Sequence, residues 1–276
     1  MKALVTLTPA ESKKLLGRAV CRLDEFQLAL SDGVVIIAVG STTSMVAKEC
    51  IDTNLDESRF AAGIISRGVL CVTPREQRLP NMVLFKGEQI EKTPLESLDM
   101  DGPKVLVKGA NAVDHEGIAG VLMAARDGGT AGRLLPYFQA NGWPVISPVG
   151  WEKLVPSVMD AAKELGIDKI DVSLGARVGM MPLVGARVIT ERQALQTIAE
   201  VEVLHVASGG VGGSQGSVSI LIEGNKTALD KIMEELEQIK GAEIAPPVLQ
   251  TCALCHHQCD FAHKQDKALP GYLHNN

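Results

Sequence analysis

One feature constrains this chain more than any other: the unbroken apolar run Val34-Val35-Ile36-Ile37-Ala38, followed at once by Val39-Gly40-Ser41-Thr42-Thr43-Ser44. A strand that is apolar on both faces has to be covered on both, which is the situation of a central strand in a parallel sheet. The glycine and hydroxyl residues then turn the chain into a helical stretch from Met45 to Ile51. The cycle recurs. Val69 to Val72, Val83 to Phe85, Lys104 to Lys108 and Pro144 to Ser147 read as strands, and helices are expected from the Asp127–Gly132 loop to about Asn141 and from Trp151 to Leu165. Ahead of them, Thr8-Pro9-Ala10-Glu11 is a capping box with proline at the first helical position, and Leu15, Leu16, Ala19, Val20 and Leu23 follow at helical spacing. Strands alternating with helices define an α/β fold, an open and mostly parallel sheet with helices on both faces. Such sheets bind ligands beyond the carboxyl ends of their strands.

From about Gly185 the pattern changes. Arg187 to Thr190, Val203 to Ala207 and Ser217 to Ile222 read as strands, with helices over Glu191 to Ala199 and from Asn225 to Lys240, and a last strand near Glu243 to Leu249. That order predicts a ferredoxin-like α+β small domain. The glycines between Ser208 and Gly216 read as a long hairpin loop. The division expected is residues 1–184 for the α/β domain, 185–248 for the small domain and 249–276 for a Cys/His-rich tail.

Composition narrows the function. With 27 Lys+Arg against 33 Asp+Glu and 3% aromatic residues, the chain lacks the basic stripe and the stacking rings that nucleic acid requires. No apolar run approaches the length of a membrane span. The first thirty residues read as a charged amphipathic helix without a cleavage site, so the expected compartment is the cytoplasm.

Three loops carry candidate chemistry. Gly40, Ser41, Thr42, Thr43 and Ser44 combine a helix start with several hydroxyls, a natural cradle for a phosphate or carboxylate. Gly128, Gly129, Thr130 and Gly132, with Arg126 and Arg133 nearby, offer the same geometry again, and if both loops follow strands of one sheet they point into one crevice. The third is Lys108-Gly109-Ala110-Asn111-Ala112-Val113-Asp114. Lys108 is a candidate for neutralising an anion or, once desolvated, for acting as a nucleophile, and Asp114 is a candidate base. As plain turn residues, Asn111 and Asp114 would instead bond to nearby backbone.

These pieces, in this order, resemble ribose-5-phosphate isomerase A. That family opens with a Pro/Glu-capped helix, then a strand and a glycine, threonine and serine loop matched here by Gly40-Ser41-Thr42. Lys108 to Asp114 falls where the family has Asp-Gly-Ala-Asp-Glu, and Gly128 to Arg133 falls at its later glycine loop. The wider superfamily includes glucosamine-6-phosphate deaminases, sugar-binding regulators and CoA transferases. The resemblance implies a sugar-phosphate-binding fold with a ferredoxin-like small domain and a homo-oligomeric assembly. The family's catalytic carboxylates are missing: Asn111 and Lys108 stand at the two aspartate positions, and Arg133-Leu134-Leu135-Pro136 replaces its glutamate. An amide cannot shuttle the proton that aldose–ketose isomerisation moves between carbons, so isomerase activity is not expected.

Cys21, Cys50 and Cys71 sit alone in apolar settings and read as buried free thiols. The tail is different. Cys252, Cys255, Cys259 and His263 are spaced to share one face of a helix, and three thiolates with one imidazole complete a tetrahedral zinc set. The alternatives are an iron–sulfur cluster, with His256, His257 or His263 or an external group on the last iron, and redox-active or unliganded thiols. The Cys252-x-x-Cys255-His256 run also matches a covalent haem motif, set aside because that attachment goes with export. His205 reads as a core histidine, and Trp143 and Trp151 as packing anchors.

The expected function is binding of a small phosphorylated or carboxylated metabolite in an isomerase-like cleft, with any catalysis differing from isomerisation. The alternatives are a non-catalytic metabolite and metal or redox sensor, and a protein that binds or transfers CoA esters.

Overall fold

The fold is described from a computed structural model covering residues 1–51 and 54–274. The chain opens with a strand, β1 (Lys2–Leu7), ahead of helices α1 (Pro9–Cys21) and α2 (Asp24–Asp32). The apolar run forms β2 (Val34–Ile37), and the hydroxyl loop leads into α3 (Thr43–Ile51). A hairpin of β3 (Gly63–Ser66) and β4 (Val69–Val72) precedes β5 (Met82–Phe85), β6 (Glu88–Gln89) and the one-turn α4 (Pro94–Ser97). Then come β7 (Lys104–Val107), β8 (Ala112–Val113), β9 (Ala119–Met123), α5 (Gly129–Asn141), β10 (Val145–Pro148) and α6 (Val158–Glu164). The last elements are β11 (Gly179–Pro182), β12 (Arg187–Ile189), α7 (Glu191–Gln196), β13 (Glu202–Gly209), β14 (Ser217–Glu223) and α8 (Lys226–Ile239).

The architecture is α/β. A six-stranded sheet has the order β12-β10-β7-β2-β5-β6, and β12, β10, β7 and β2 run parallel. β5 and β6 finish one edge antiparallel. All four residues of β2 and of β7 are buried, as the unbroken apolar run requires of a strand with cover on both faces. The capping box at Thr8 forms as read: Thr8 Oγ1 accepts from the Glu11 N–H at 3.3 Å, and Glu11 Oε2 accepts from the Thr8 N–H at 2.9 Å. Asn225 caps α8 through the Ala228 N–H at 2.8 Å.

Tertiary pairing overrides several local readings. The strand at Arg187 joins the main sheet beside β10, and the N-terminal β1 takes a place in the small sheet, whose order is β1-β14-β13. No strand forms over 243–249. The expected ferredoxin-like order is therefore not the pairing observed; both substitutions are long-range choices to which local propensity is blind. The hairpin β3–β4 forms its own two-stranded sheet, with one further parallel bridge from Leu70 to Gly175, so Val69–Val72 is not a strand of the main sheet. The helix expected from Trp151 to Leu165 is split into a 3₁₀ turn (Trp151–Lys153) and α6, with Pro156 between them.

Cys21 and Cys50 are not free thiols. They form a disulfide with Cα atoms 5.3 Å apart, tying α1 to α3. The helices meet because Gly17 has no side chain: a β-carbon there would stand 2.9 Å from the Met45 carbonyl carbon and oxygen. No helix among the described residues is long and apolar enough to cross a membrane.

Candidate functional site

The four parallel strands bring their carboxyl ends to one edge of the main sheet. There the chain delivers Val39–Ser44 after β2, Lys108–Asn111 after β7, Val149–Lys153 after β10 and Thr190–Glu191 after β12. α1 lies over the same edge and contributes Ser12 and Lys13. The first and third candidate loops are neighbours, since a β-carbon on Gly109 would lie 3.7 Å from the Thr43 methyl. The hydroxyls of the first loop are largely spent within it. Thr43 Oγ1 donates to the Ala38 carbonyl at 2.5 Å and Ser44 Oγ to the Ser41 carbonyl at 3.0 Å, with Thr42, Thr43 and Ser44 all buried.

Three ammonium groups gather at this edge. Lys108 Nζ donates to the Gly109 carbonyl at 2.8 Å, and Lys153 Nζ to the Ala110 carbonyl at 3.0 Å. Burial pushes Lys108 down to about 8, and the neighbouring charge of Lys153 adds to the shift. Lys13 is likewise pushed down to about 8, by burial and then by Lys153, with Glu152 pulling the other way. Among the described residues, no side-chain carboxylate bonds to Lys13 or Lys108.

Two carboxyls stand at the same strand ends, Glu152 next to the lysines and Glu191 next to Glu152. Glu191 is sealed from solvent and accepts from the Ser12 hydroxyl at 2.8 Å and from the Trp151 N–H at 2.9 Å. Burial, reinforced by the charge of Glu152, raises its pKa to about 7. Both oxygens of Glu152 are buried without a hydrogen-bond partner, and Lys153 Nζ comes no closer than 3.8 Å. Gly150 makes this possible: a β-carbon there would stand 2.0 Å from Glu152 Oε2 and 2.9 Å from Glu191 Oε1. Ser147 Oγ, at the end of β10, is also buried and unpartnered. Over the group hangs the glycine-rich β13–β14 hairpin, where a β-carbon on Gly216 would meet Pro9 at 3.2 Å and Glu152 at 3.7 Å. His205 of that hairpin is half-buried and lies flat on the indole of Trp151, ring centroids 4.9 Å apart.

The other candidate residues have different work. Asn111 Oδ1 accepts from the Leu122 N–H at 3.0 Å and so joins β8 to β9. Asp114 accepts from the N–H groups of Ile118 and Val158, each at 2.9 Å, and of Glu116 at 3.2 Å, which is the behaviour of a buried turn residue. The Gly128–Gly132 loop follows β9, a strand of the separate sheet β11-β9-β8, so the two glycine loops do not extend from strands of one sheet. Its charges are satisfied internally: Asp127 accepts from the Gly129 N–H at 2.9 Å and pairs with Arg133, while Arg126 makes a two-pronged bond to Asp168. Half-buried Thr130 lies in the first turn of α5.

The tail is not a helix. It is an irregular chain with 3₁₀ turns at Cys252–Leu254, Asp266–Ala268 and Gly271–Leu273, folded onto the β3–β4 hairpin. Phe261, Leu269 and Leu273 pack on Val69. Arg177 ties the tail to the body through Asp260 at 2.8 Å. The spacing that would align four ligands on a helix therefore places them otherwise. Cys252, Cys255 and Cys259 line a cavity, and the fourth sulfur on its wall is Cys71 of β4. His263 is exposed, outside that wall, at a left-handed φ of 63°. Burial pushes the Cys71 thiol up; a backbone hydrogen bond at Val72 opposes this, and charge on Cys255, Cys252 and Cys259 reinforces it. Burial raises Cys255 too, with the His257 backbone N–H pulling down. No group of three or more His, Cys, Asp or Glu side chains among the described residues is arranged to hold a single metal ion.

Sequence reasoning missed Ser12, Lys13, Ser147, Glu152, Lys153 and Glu191. A usable signal existed for some of them: the strand-end rule, applied after β10 and β12 as it was after β2 and β7, leads to Gly150-Trp151-Glu152-Lys153 and to Thr190-Glu191. No protein-family model, curated protein or solved structure matches this chain.

Proposed function

We propose that the protein binds a small anionic metabolite, phosphorylated or carboxylated, at the carboxyl edge of the parallel sheet. The observation that carries this reading is the gathering of Lys13, Lys108 and Lys153, two of them held well below the usual lysine range by burial and mutual repulsion. An anion seated between them would relieve that repulsion. Glu191 offsets the lysine charge only weakly near neutrality, because burial and the charge of Glu152 raise its pKa to about 7. The resemblance to ribose-5-phosphate isomerase A favours a sugar phosphate within this class. In a reaction, Glu152 and Glu191 are the groups suited to moving a proton, and Lys108, whose amine form is accessible near neutrality, is the one suited to attacking a carbonyl.

Thermal-shift measurements with inorganic phosphate, sugar phosphates, small dicarboxylates and CoA esters test the reading. A bound anion raises the melting temperature by mass action, and Lys108→Ala removes the response. If no member of the panel moves the wild-type transition, the reading fails. A homo-oligomer is part of the proposal. The outer face of the small sheet aligns Leu4, Leu221 and Leu204 in one row across three strands, with Leu4 and Leu204 more than half exposed. Light scattering on the purified chain decides whether a second copy covers it.

A further inference from the structure

We infer that Cys71, Cys252, Cys255 and Cys259 are the ligands of a cubane iron–sulfur cluster seated between the β3–β4 hairpin and the tail. Mononuclear zinc needs its donors about 2.3 Å from one point, which draws four sulfurs together and leaves no space among them. Here the four thiols stand around a cavity of about 60 Å³. A single water occupies about 10–15 Å³ on that scale, so the space admits several atoms.

The cavity is built as a cluster site is. Its walls are mostly apolar, with Val69, Leu70, Phe261, Leu269 and Leu273 around the sulfurs, and Arg67 and Asp266 add one charge of each sign to the lining. Dry surroundings and N–H···S bonds are the means by which proteins hold and tune such clusters. One such bond is already made: the Phe261 N–H points at Cys259 Sγ, 3.4 Å away. The alternation of β4 puts Cys71 on the same face as Val69, and Val69 is packed against the tail. The hairpin thus presents a sulfur to the tail from 181 residues earlier in the chain than Cys252. On binding, each thiol releases its proton as its Fe–S bond forms. Four protein sulfurs complete the set and leave no iron open for an external ligand, which excludes His256, His257 and His263 from the first coordination shell.

The test is anaerobic reconstitution of the full chain with equal amounts of ferric and ferrous iron and with sulfide, which together supply the electron count of a 4Fe–4S cluster in its 2+ state while the four thiol protons pass to solvent, followed by metal and sulfide analysis and visible absorption. The expected result is about four iron and four sulfide per chain with broad visible charge-transfer absorption. Cys71→Ser loses most of that absorption, and His263→Ala retains it. Circular dichroism of Cys71→Ser and of the unreconstituted wild type shows whether the body of the protein stays folded; the large parallel-sheet core holds no residue of the site, so the two spectra are expected to agree. Stoichiometric zinc with no iron uptake would overturn the inference, as would a Cys71→Ser variant that reconstitutes like the wild type. Loss of the cluster in His263→Ala with retention in Cys71→Ser would return the site to the ligand set read from spacing alone. None of these outcomes depends on the anion-binding edge of the main sheet, so the two proposals fail separately.

Discussion

The carboxylate of Glu191 accepts a 2.8 Å hydrogen bond from the hydroxyl of Ser12, a residue 179 positions earlier in the chain. The bond pins the start of α7 to the first turn of α1 and holds, beside Glu152, a buried acid. Its titration is a stability signal. Glu191 is raised in the folded state to about 7 from an ordinary value of 4.5, so between those values the native state binds more protons than the unfolded chain. The contribution is fully present below pH 4.5 and is lost as pH rises through 7. Its full size is roughly 3 kcal/mol. Denaturant titrations of wild type and Glu191→Gln across this window should show the difference in stability between them changing with pH in that sense. A pH-independent difference counts against the assignment.

Lys108 carries the opposite sign. Its amine is pushed from 10.5 down to about 8, so the cost of its burial is in force below pH 8 and fades as pH rises toward 10.5. Replacing it with Met removes a desolvated charge and keeps the aliphatic stem. The expected outcome is a gain of roughly 1 kcal/mol without ligand, together with loss of the anion response. A variant that is destabilised yet still responds to anions would place Lys108 among structural residues.

Cys21 and Cys50 predict a countable result. In the denatured, metal-free chain, thiol titration should find the four free cysteines before reduction and all six after it. The bridge closes a loop with a sequence separation of 29. Loss of such a constraint costs roughly 3–4 kcal/mol on the chain-entropy model. Cys21→Ser/Cys50→Ser should therefore melt well below the oxidised wild type and close to the reduced wild type.

Asp114 and Asn111 should behave as structural residues. Asp114 serves three backbone N–H groups, one of them at the start of α6, so Asp114→Ala should lose roughly 2–4 kcal/mol in urea denaturation. The Asn111 amide cannot take up a proton from carbon, and its oxygen is bonded to the Leu122 N–H. Ribose 5-phosphate should therefore show no turnover in a coupled assay, and Asn111→Asp alone should not create it.

The features legible beforehand share a short range. The β2 run, the Thr8 capping box, the Asn225 cap and the glycine hairpin after β13 each depend on residues within a few positions of one another. So do the loops at Gly40 and Lys108, which emerged side by side because both follow parallel strands of one sheet. The Gly128 loop looked equivalent, but it follows a strand of another sheet, and no local signal records which sheet a strand joins. The tail was recognised as a cysteine cluster, yet its fourth sulfur lies on a hairpin that sequence reading assigned to the core.

Taken alone, the chain determined its α/β class, most of its helix starts and the three thiols of its tail, because backbone propensity, capping and side-chain periodicity act over a turn or a strand. Tertiary structure decided that Ser12 meets Glu191, that Cys21 meets Cys50, that Lys13 and Lys153 join Lys108, and that Cys71 faces the tail. Those meetings follow from strand order and helix packing, which are set by burial of the whole core and leave no trace in the spacing of neighbouring residues.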